Sequence, residues 1–131
     1  MKVQDIGILI VDDVNAIRVQ IKEVLRKVGF EKIWVAANGT EAMEIMVNQP
    51  VSCVLSDWHM SPMDGLALLK WIRKHSEFHK LPFIMVTAES AREEVVKVVI
   101  EGVDDYIVKP LTVEQVHEKL FKTLIKKKVL L

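Results

Sequence analysis

The sequence predicts a three-layer α/β domain in which one parallel sheet of five strands lies between two layers of helices. Three observations lead there. Five apolar runs of strand length recur along the chain, and helical patterns fill the gaps between them. Three of the runs, around residues 9, 54 and 84, are almost continuously apolar, as suits strands covered on both faces. Strict alternation of strand and helix implies right-handed crossovers, which put helices on both sides of the sheet. The 131 residues, half of them apolar, are expected to form a single domain over residues 1–131, with no room for a second core.

The elements follow in order. The first strand covers Ile8 to Val11; after it Val14, Ile17, Ile21, Val24, Leu25 and Val28 keep a 3.6-residue period that Gly29 is placed to end. A second strand, Ile33 to Ala36, precedes the shorter stripe Ala42, Ile45 and Met46. The third strand spans Val51 to Leu55, and Leu66, Leu69 and Ile72 mark a helix with Asp64 as its candidate cap. Phe83 to Val86 form the fourth strand, followed by helical spacing at Val95, Val98, Val99 and Gly102. Tyr106 to Val108 are the fifth strand, and Thr112 with Gln115 makes a capping-box pattern ahead of Val116, Leu120 and Leu124. The helix around Val95 is unusual: Val95, Val96, Val98, Val99 and Ile100 are apolar around much of the wheel, with Lys97 the polar interruption.

Composition excludes several classes of function. Lys and Arg balance Asp and Glu at 18 each, so no global charge draws the protein to nucleic acid. Residues 1–64 carry 6 basic and 9 acidic groups and residues 65–131 carry 12 and 9; the basic excess at Lys119, Lys122 and Lys126 to Lys128 reads as a solvated helix end. Apolar runs such as Ile6 to Val11 fall far short of the roughly 20 residues of a membrane span, and Met1-Lys2-Val3-Gln4-Asp5 begins no secretory signal. The expected location is cytoplasmic. Cys53 is the only cysteine, which rules out an intramolecular disulfide and a cysteine-based zinc cluster and leaves an ordinary buried thiol.

In such sheets the ligand crevice lies beyond the carboxyl ends of the strands. Asp12 and Asp13 follow the first strand, Asp57 follows the third, Thr87 ends the fourth and Lys109 ends the fifth. Each has a plainer explanation: an Asp pair can turn the chain, Asp13 can cap the next helix, and Lys109 can be a snorkelling surface charge. Their joint placement at four strand ends argues for one shared site. Three carboxylates and one ammonium leave a local charge of about −2, costly unless a cation is bound. The all-oxygen ligands favour Mg²⁺ over zinc. With that charge shielded, Asp57 can act as a nucleophile toward a phosphoryl group whose oxygens Thr87 and Lys109 contact.

Ile10-Val11-Asp12-Asp13, Asp57 with Met63-Asp64-Gly65, Val86-Thr87-Ala88 and Asp105-Tyr106-Ile107-Val108-Lys109-Pro110 together resemble the receiver domain of two-component response regulators over essentially the whole chain. The resemblance implies a CheY-like, flavodoxin-like doubly wound sheet in the order 2-1-3-4-5. It implies that Asp57 is the phosphoacceptor, that Asp13 holds Mg²⁺ directly and Asp12 through water, and that His59 lends the metal its backbone carbonyl. Thr87 and Lys109 match the residues that engage the phosphoryl group, Tyr106 the aromatic switch, and Lys109–Pro110 a peptide that is cis in the family. His59 and Glu89 stand where side chains influence phosphoryl lifetime.

Trp58 beside Asp57, and Tyr106 paired with Glu89, favour a chemotaxis-type regulator. One departure is Met60-Ser61-Pro62-Met63, where receivers commonly have Pro directly after the first Met; a different loop path beside Asp57 is expected. The expected partners are a histidine kinase and a downstream protein, either a flagellar motor switch or a phosphotransfer protein, met through a surface of Val95, Val99, Tyr106, Val108, Leu111 and Lys119. No output domain follows the fifth helix, so a stand-alone switch is expected, with a receiver cut from a longer regulator, or a phosphorelay intermediate, as the alternative. An Mg²⁺-dependent aspartyl-phosphate hydrolase is disfavoured, because Trp58-His59-Met60 supplies no second acid–base carboxylate. A flavodoxin-like cofactor module is disfavoured by the absence of a Ser/Thr/Gly-rich loop after the first strand.

Overall fold

In the computed structural model of the chain, which describes residues 2–88, 99 and 101–130, five strands form one parallel sheet. They are β1 (Gly7–Val11), β2 (Lys32–Ala36), β3 (Cys53–Ser56), β4 (Phe83–Thr87) and β5 (Asp105–Val108), in the order β2-β1-β3-β4-β5. Four helices are described: α1 (Asn15–Val28), α2 (Gly39–Asn48), α3 (Gly65–Lys74) and α4 (Val113–Lys126). Of the helix expected around Val95, Val99 lies within the described residues, where it is helical and 59% exposed, and Gly102 stands in a turn at φ +92°. Val95, Val96, Lys97, Val98 and Ile100 lie outside the described residues.

The pleat of the sheet divides the core in two. Ile8 and Ile10 of β1, with Cys53, Leu55, Ile84, Val86 and Ile107, pack on α1 and α4 through Ile21, Val24, Leu25, Val116, Leu120 and Leu124. Leu9 and Val11, with Val54, Phe83 and Met85, face the other way onto α2 and α3, meeting Ala42, Met46, Leu68, Leu69 and Ile72. All residues of β1, β3 and β4 are therefore buried, whereas the edge strands β2 and β5 are partly open. Trp34 and Trp71 are half-buried packing residues on the second core.

Local chemistry fixes the helix ends. Asn38 and Asp64 accept from the backbone N–H of Glu41 and Ala67 at 2.9 and 2.8 Å, capping α2 and α3. Thr112 accepts from Gln115 N–H at 3.1 Å, but Gln115 Oε1 is buried without a partner, so the reciprocal half of the capping box is not made. Gly29 ends α1 at φ +120°, a conformation that favours glycine. One expectation is corrected at the start of α1: Val14 is the N-cap residue and 48% exposed rather than core. The plainer reading of Asp13 as a helix cap is not what the structure shows, since the helix has no side-chain capping bond there. The strands also shift slightly: β3 starts at Cys53, because Val51 N–H turns back to Gln49 O, and β5 starts at Asp105.

An ionic clamp closes the end of the sheet opposite the strands' carboxyl ends. Arg73 donates to the carbonyls of Gly102, Leu81 and His79 at 2.8, 2.7 and 3.3 Å and pairs with Asp104 at 3.0 Å. Asp104 also accepts from Phe83 N–H at 2.8 Å and pairs with Lys127 at 3.2 Å. The clamp ties α3, β4, the entry to β5 and the end of α4 together. Burial lowers the Arg73 pKa, and Asp104 opposes that shift. Among the described residues no helix is long and apolar enough to cross a membrane.

Candidate functional site

Sheet hydrogen bonding continues one residue past β1 and β3 and places the carboxylates. Asp12 N–H donates to Ala36 O at 3.0 Å and Asp57 N–H to Val11 O at 2.8 Å, so both aspartates stand on the carboxyl edge of the sheet. Asp12 is fully buried. Its Oδ1 accepts from Val14 N–H and its Oδ2 from Lys109 Nζ, both at 3.0 Å, while Arg18 donates to its carbonyl. A buried carboxylate needs such partners.

Lys109 reaches the crevice from the end of β5. Its N–H donates to Thr87 O at 2.8 Å, which aligns it beside the end of β4, and Lys109–Pro110 is cis, as is Ser61–Pro62 in the loop after Asp57. Lys109 Nζ stands 3.6 Å from Asp57 Oδ1, the atom that also accepts from Trp58 N–H at 2.9 Å. Thr87 is buried at the end of β4. Asp12, exposed Asp13 and Asp57 each bring one carboxylate oxygen to within 4.8 Å of the others.

Burial raises the Asp57 pKa; Lys109 opposes that shift, Asp12 raises it further, the Trp58 N–H lowers it and Asp13 adds to the rise. Among the described residues, three carboxylates face one ammonium and are short of positive charge. An all-oxygen donor set, with Asp12 buried and Asp13 open to water, fits a hard and partly hydrated divalent cation such as Mg²⁺.

The loop after Asp57 is held from below. Gly65 N–H donates to Trp58 O at 2.7 Å, and a Cβ on Gly65 would stand 2.1 Å from Asp57 O. Only glycine lets α3 begin so close to the Asp57 backbone. Trp58 is buried in the second core, and exposed His59 stacks on it with ring centroids 5.6 Å apart.

The structure thus brings Asp12, Asp13, Asp57 and Lys109 into one crevice, with Thr87 hydrogen-bonded to Lys109 along the backbone. Glu89 and Val95 lie outside the described residues. Of the expected partner surface, Val99 is exposed, while Tyr106, Val108 and Lys119 are half-buried. Leu111 is corrected: at 7% exposure it belongs to the first core, because the turn after Pro110 points it under α4. Sequence reasoning missed Arg18 on the Asp12 carbonyl, since its spacing carries no periodic or motif signal, and it quoted Asp105 in a motif without foreseeing its bond to the Tyr106 N–H.

A parallel sheet in this order, carrying an acidic trio and a lysine at its carboxyl edge, is a doubly wound α/β domain with a charged crevice where such folds place their ligands. The model of the response regulator receiver domain matches residues 8–121, and the chain belongs to that family. Members of the family are phosphoacceptors rather than turnover enzymes, and they generally bind Mg²⁺ at an aspartate cluster.

Chemotaxis protein CheY1 of Helicobacter pylori is 40% identical over 114 residues, covering 86% of this chain and 92% of that protein. Chemotaxis protein CheY-3 of Vibrio cholerae is 40% identical over 119 residues, covering 91% of this chain and 92% of its own. Among solved structures, chemotaxis protein CheY4 of Vibrio cholerae superposes with a TM-score of 0.85 at 28% identity, over 91% of this chain and 98% of that one. A CheY-like receiver domain from Methanospirillum hungatei gives 0.85 at 30% identity, over 95% and 97% of the two chains.

Proposed function

We propose that this receiver takes a phosphoryl group onto Asp57 from a histidine kinase and, so modified, changes its binding to a downstream protein. The observation that carries the reading is the convergence of Asp12, Asp13 and Asp57 on a crevice where, among the described residues, the close cation is Lys109 Nζ, 3.0 Å from Asp12 and 3.6 Å from Asp57. A carboxylate oxygen of Asp57 attacks phosphorus, the bond from phosphorus to the kinase imidazole breaks, and the leaving imidazole takes up a proton. Lys109 stands where it can follow the charge that moves onto the phosphoryl oxygens. Asp12 and Asp13, with Asp57 and the His59 carbonyl, would hold Mg²⁺, which neutralises the surplus of negative charge when bound.

Thr87 would turn its hydroxyl to the new oxygens, and Tyr106 would follow into the space released, so that one charge change at Asp57 biases two arrangements of the β4–β5 region. The relatives named as chemotaxis proteins favour a chemotaxis-type regulator; with it goes the reading of a cytoplasmic switch that acts on a motor-switch or phosphotransfer protein. His59 and Glu89 would set the lifetime of the phosphoryl group.

The test follows tryptophan fluorescence during Mg²⁺ addition and then with beryllofluoride, in the native protein and Asp57→Asn. Trp58 adjoins the site through its N–H bond to Asp57, so the native signal should change with both additions. The variant should lose the beryllofluoride response. Equal responses in the two proteins would contradict the assignment of Asp57.

A further inference from the structure

Among the described residues, β5 is an edge strand paired only with β4. Lys109 N–H donates to Thr87 O, so by the alternation of a parallel ladder Ile107 turns its amide groups to β4 and Tyr106 turns its own outward. Outward-facing backbone groups on an edge need other partners. Tyr106 has them in two side chains. Its N–H donates to Asp105 Oδ1 at 2.8 Å, and its carbonyl accepts from Lys119 Nζ at 2.7 Å. Lys119 Nζ also pairs with Asp105 Oδ1 at 3.4 Å and lies 5.0 Å from the centre of the Tyr106 ring. One ammonium from α4 therefore grips the backbone, the ring and the preceding carboxylate of a single residue.

We infer that Lys119, paired with Asp105, is a latch that holds Tyr106 in the arrangement seen with Asp57 unmodified, and that its strength sets how readily the switch moves. The inference rests on Tyr106 being the switch in the function proposed above. Lys119 is a positioning residue: it touches neither the metal ligands nor the phosphoryl site. Its side chain is 33% exposed and that of Asp105 26%, so both can be altered without opening the core. The loss of a charge-assisted hydrogen bond and a cation–π contact from one arrangement shifts a two-state ratio by about tenfold.

Tyr106 is the only tyrosine, so biosynthetic 3-fluorotyrosine places one ¹⁹F reporter at the latch. Beryllofluoride with Mg²⁺ is titrated into the native protein, Lys119→Met, Asp105→Asn and Lys119→Arg, while tryptophan fluorescence reports loading of Asp57. Lys119→Met keeps the aliphatic stem and should move the ¹⁹F resonance of the unloaded protein toward its loaded position, lowering the beryllofluoride midpoint by about three- to tenfold. Asp105→Asn should shift it the same way by less, and Lys119→Arg, which keeps the positive charge, N–H donors and the capacity for a cation–π contact, should give a midpoint nearer the native one than Lys119→Met does. Native spectra and midpoints in both Lys119→Met and Asp105→Asn would overturn the latch. A native protein that loads while its ¹⁹F signal stays fixed would overturn the latch and leave the phosphoacceptor reading intact; failure to load at all would remove both.

Discussion

Asp57→Asn should stabilise the metal-free protein at neutral pH. The substitution removes one charge from a crowded trio and leaves an oxygen to accept the Trp58 N–H. Asp57 faces repulsion from Asp12 and Asp13, whose nearest ligand oxygens lie within 4.8 Å, and attraction from Lys109 at 3.6 Å. As point charges at that limit, each repulsion is worth about 0.9 kcal/mol in water and about 3.5 kcal/mol at an effective dielectric constant of 20; the attraction is worth about 1.2 to 4.6 kcal/mol. The balance opposes ionised Asp57 by about 0.6 to 2.3 kcal/mol, to which burial adds.

For a domain of 131 residues that corresponds to a Tm raised by about 2–8 °C. The pH dependence has a definite sign. A carboxyl whose pKa is raised in the fold binds its proton more tightly folded than unfolded, so the native protein gains stability as pH falls through the raised value. The advantage of Asp57→Asn should therefore shrink on acidification and vanish below the ordinary carboxylate pKa. Mg²⁺ should narrow it at neutral pH by stabilising the native protein more. Calorimetry of both proteins in chelator across this range is the assay; a variant no more stable than the native protein at neutral pH, or an advantage that grows in acid, would refute the electrostatic argument.

Lys109→Met should cost about 3–5 kcal/mol in chelator, because buried Asp12 loses its cation, and Mg²⁺ should recover part of the loss; urea denaturation with and without Mg²⁺ measures both. Arg73→Leu strips the clamp from Asp104 and three carbonyls and should cost about 3 kcal/mol in the same assay, with little change in Mg²⁺ affinity because the clamp lies at the far end of the sheet. Gly65→Ala forces apart α3 and the Asp57 backbone, so a Mg²⁺ titration should show affinity reduced by about tenfold or more alongside a lower Tm.

Much of this architecture was legible in the sequence because burial on both faces leaves a continuous apolar record. β1, β3 and β4 stood out for that reason, and so did the aspartates and the lysine at their carboxyl ends, which strand alternation alone brings together. Caps were readable where a side chain does the capping, as at Asp64 and Thr112. The start of α1 was misread at Val14, whose apolar side chain continues the helical period one residue too far back, while its N–H is taken by the Asp12 carboxylate. Leu111 was misplaced because an apolar residue just past a strand carries no sign of which way its turn points. The Arg73–Asp104 clamp left no trace either: its partners lie 31 residues apart and three of its acceptors are carbonyls, which every residue has.

The central claim is that Asp57 is the phosphoacceptor of this receiver, and intact mass after incubation with a small acyl phosphate and Mg²⁺ tests it most directly. The account predicts a gain of one phosphoryl group that needs Mg²⁺, maps to Asp57 after borohydride trapping and is absent from Asp57→Asn. A phosphoryl gain that persists in Asp57→Asn, or none in the native protein under conditions where beryllofluoride also fails to bind, would contradict it.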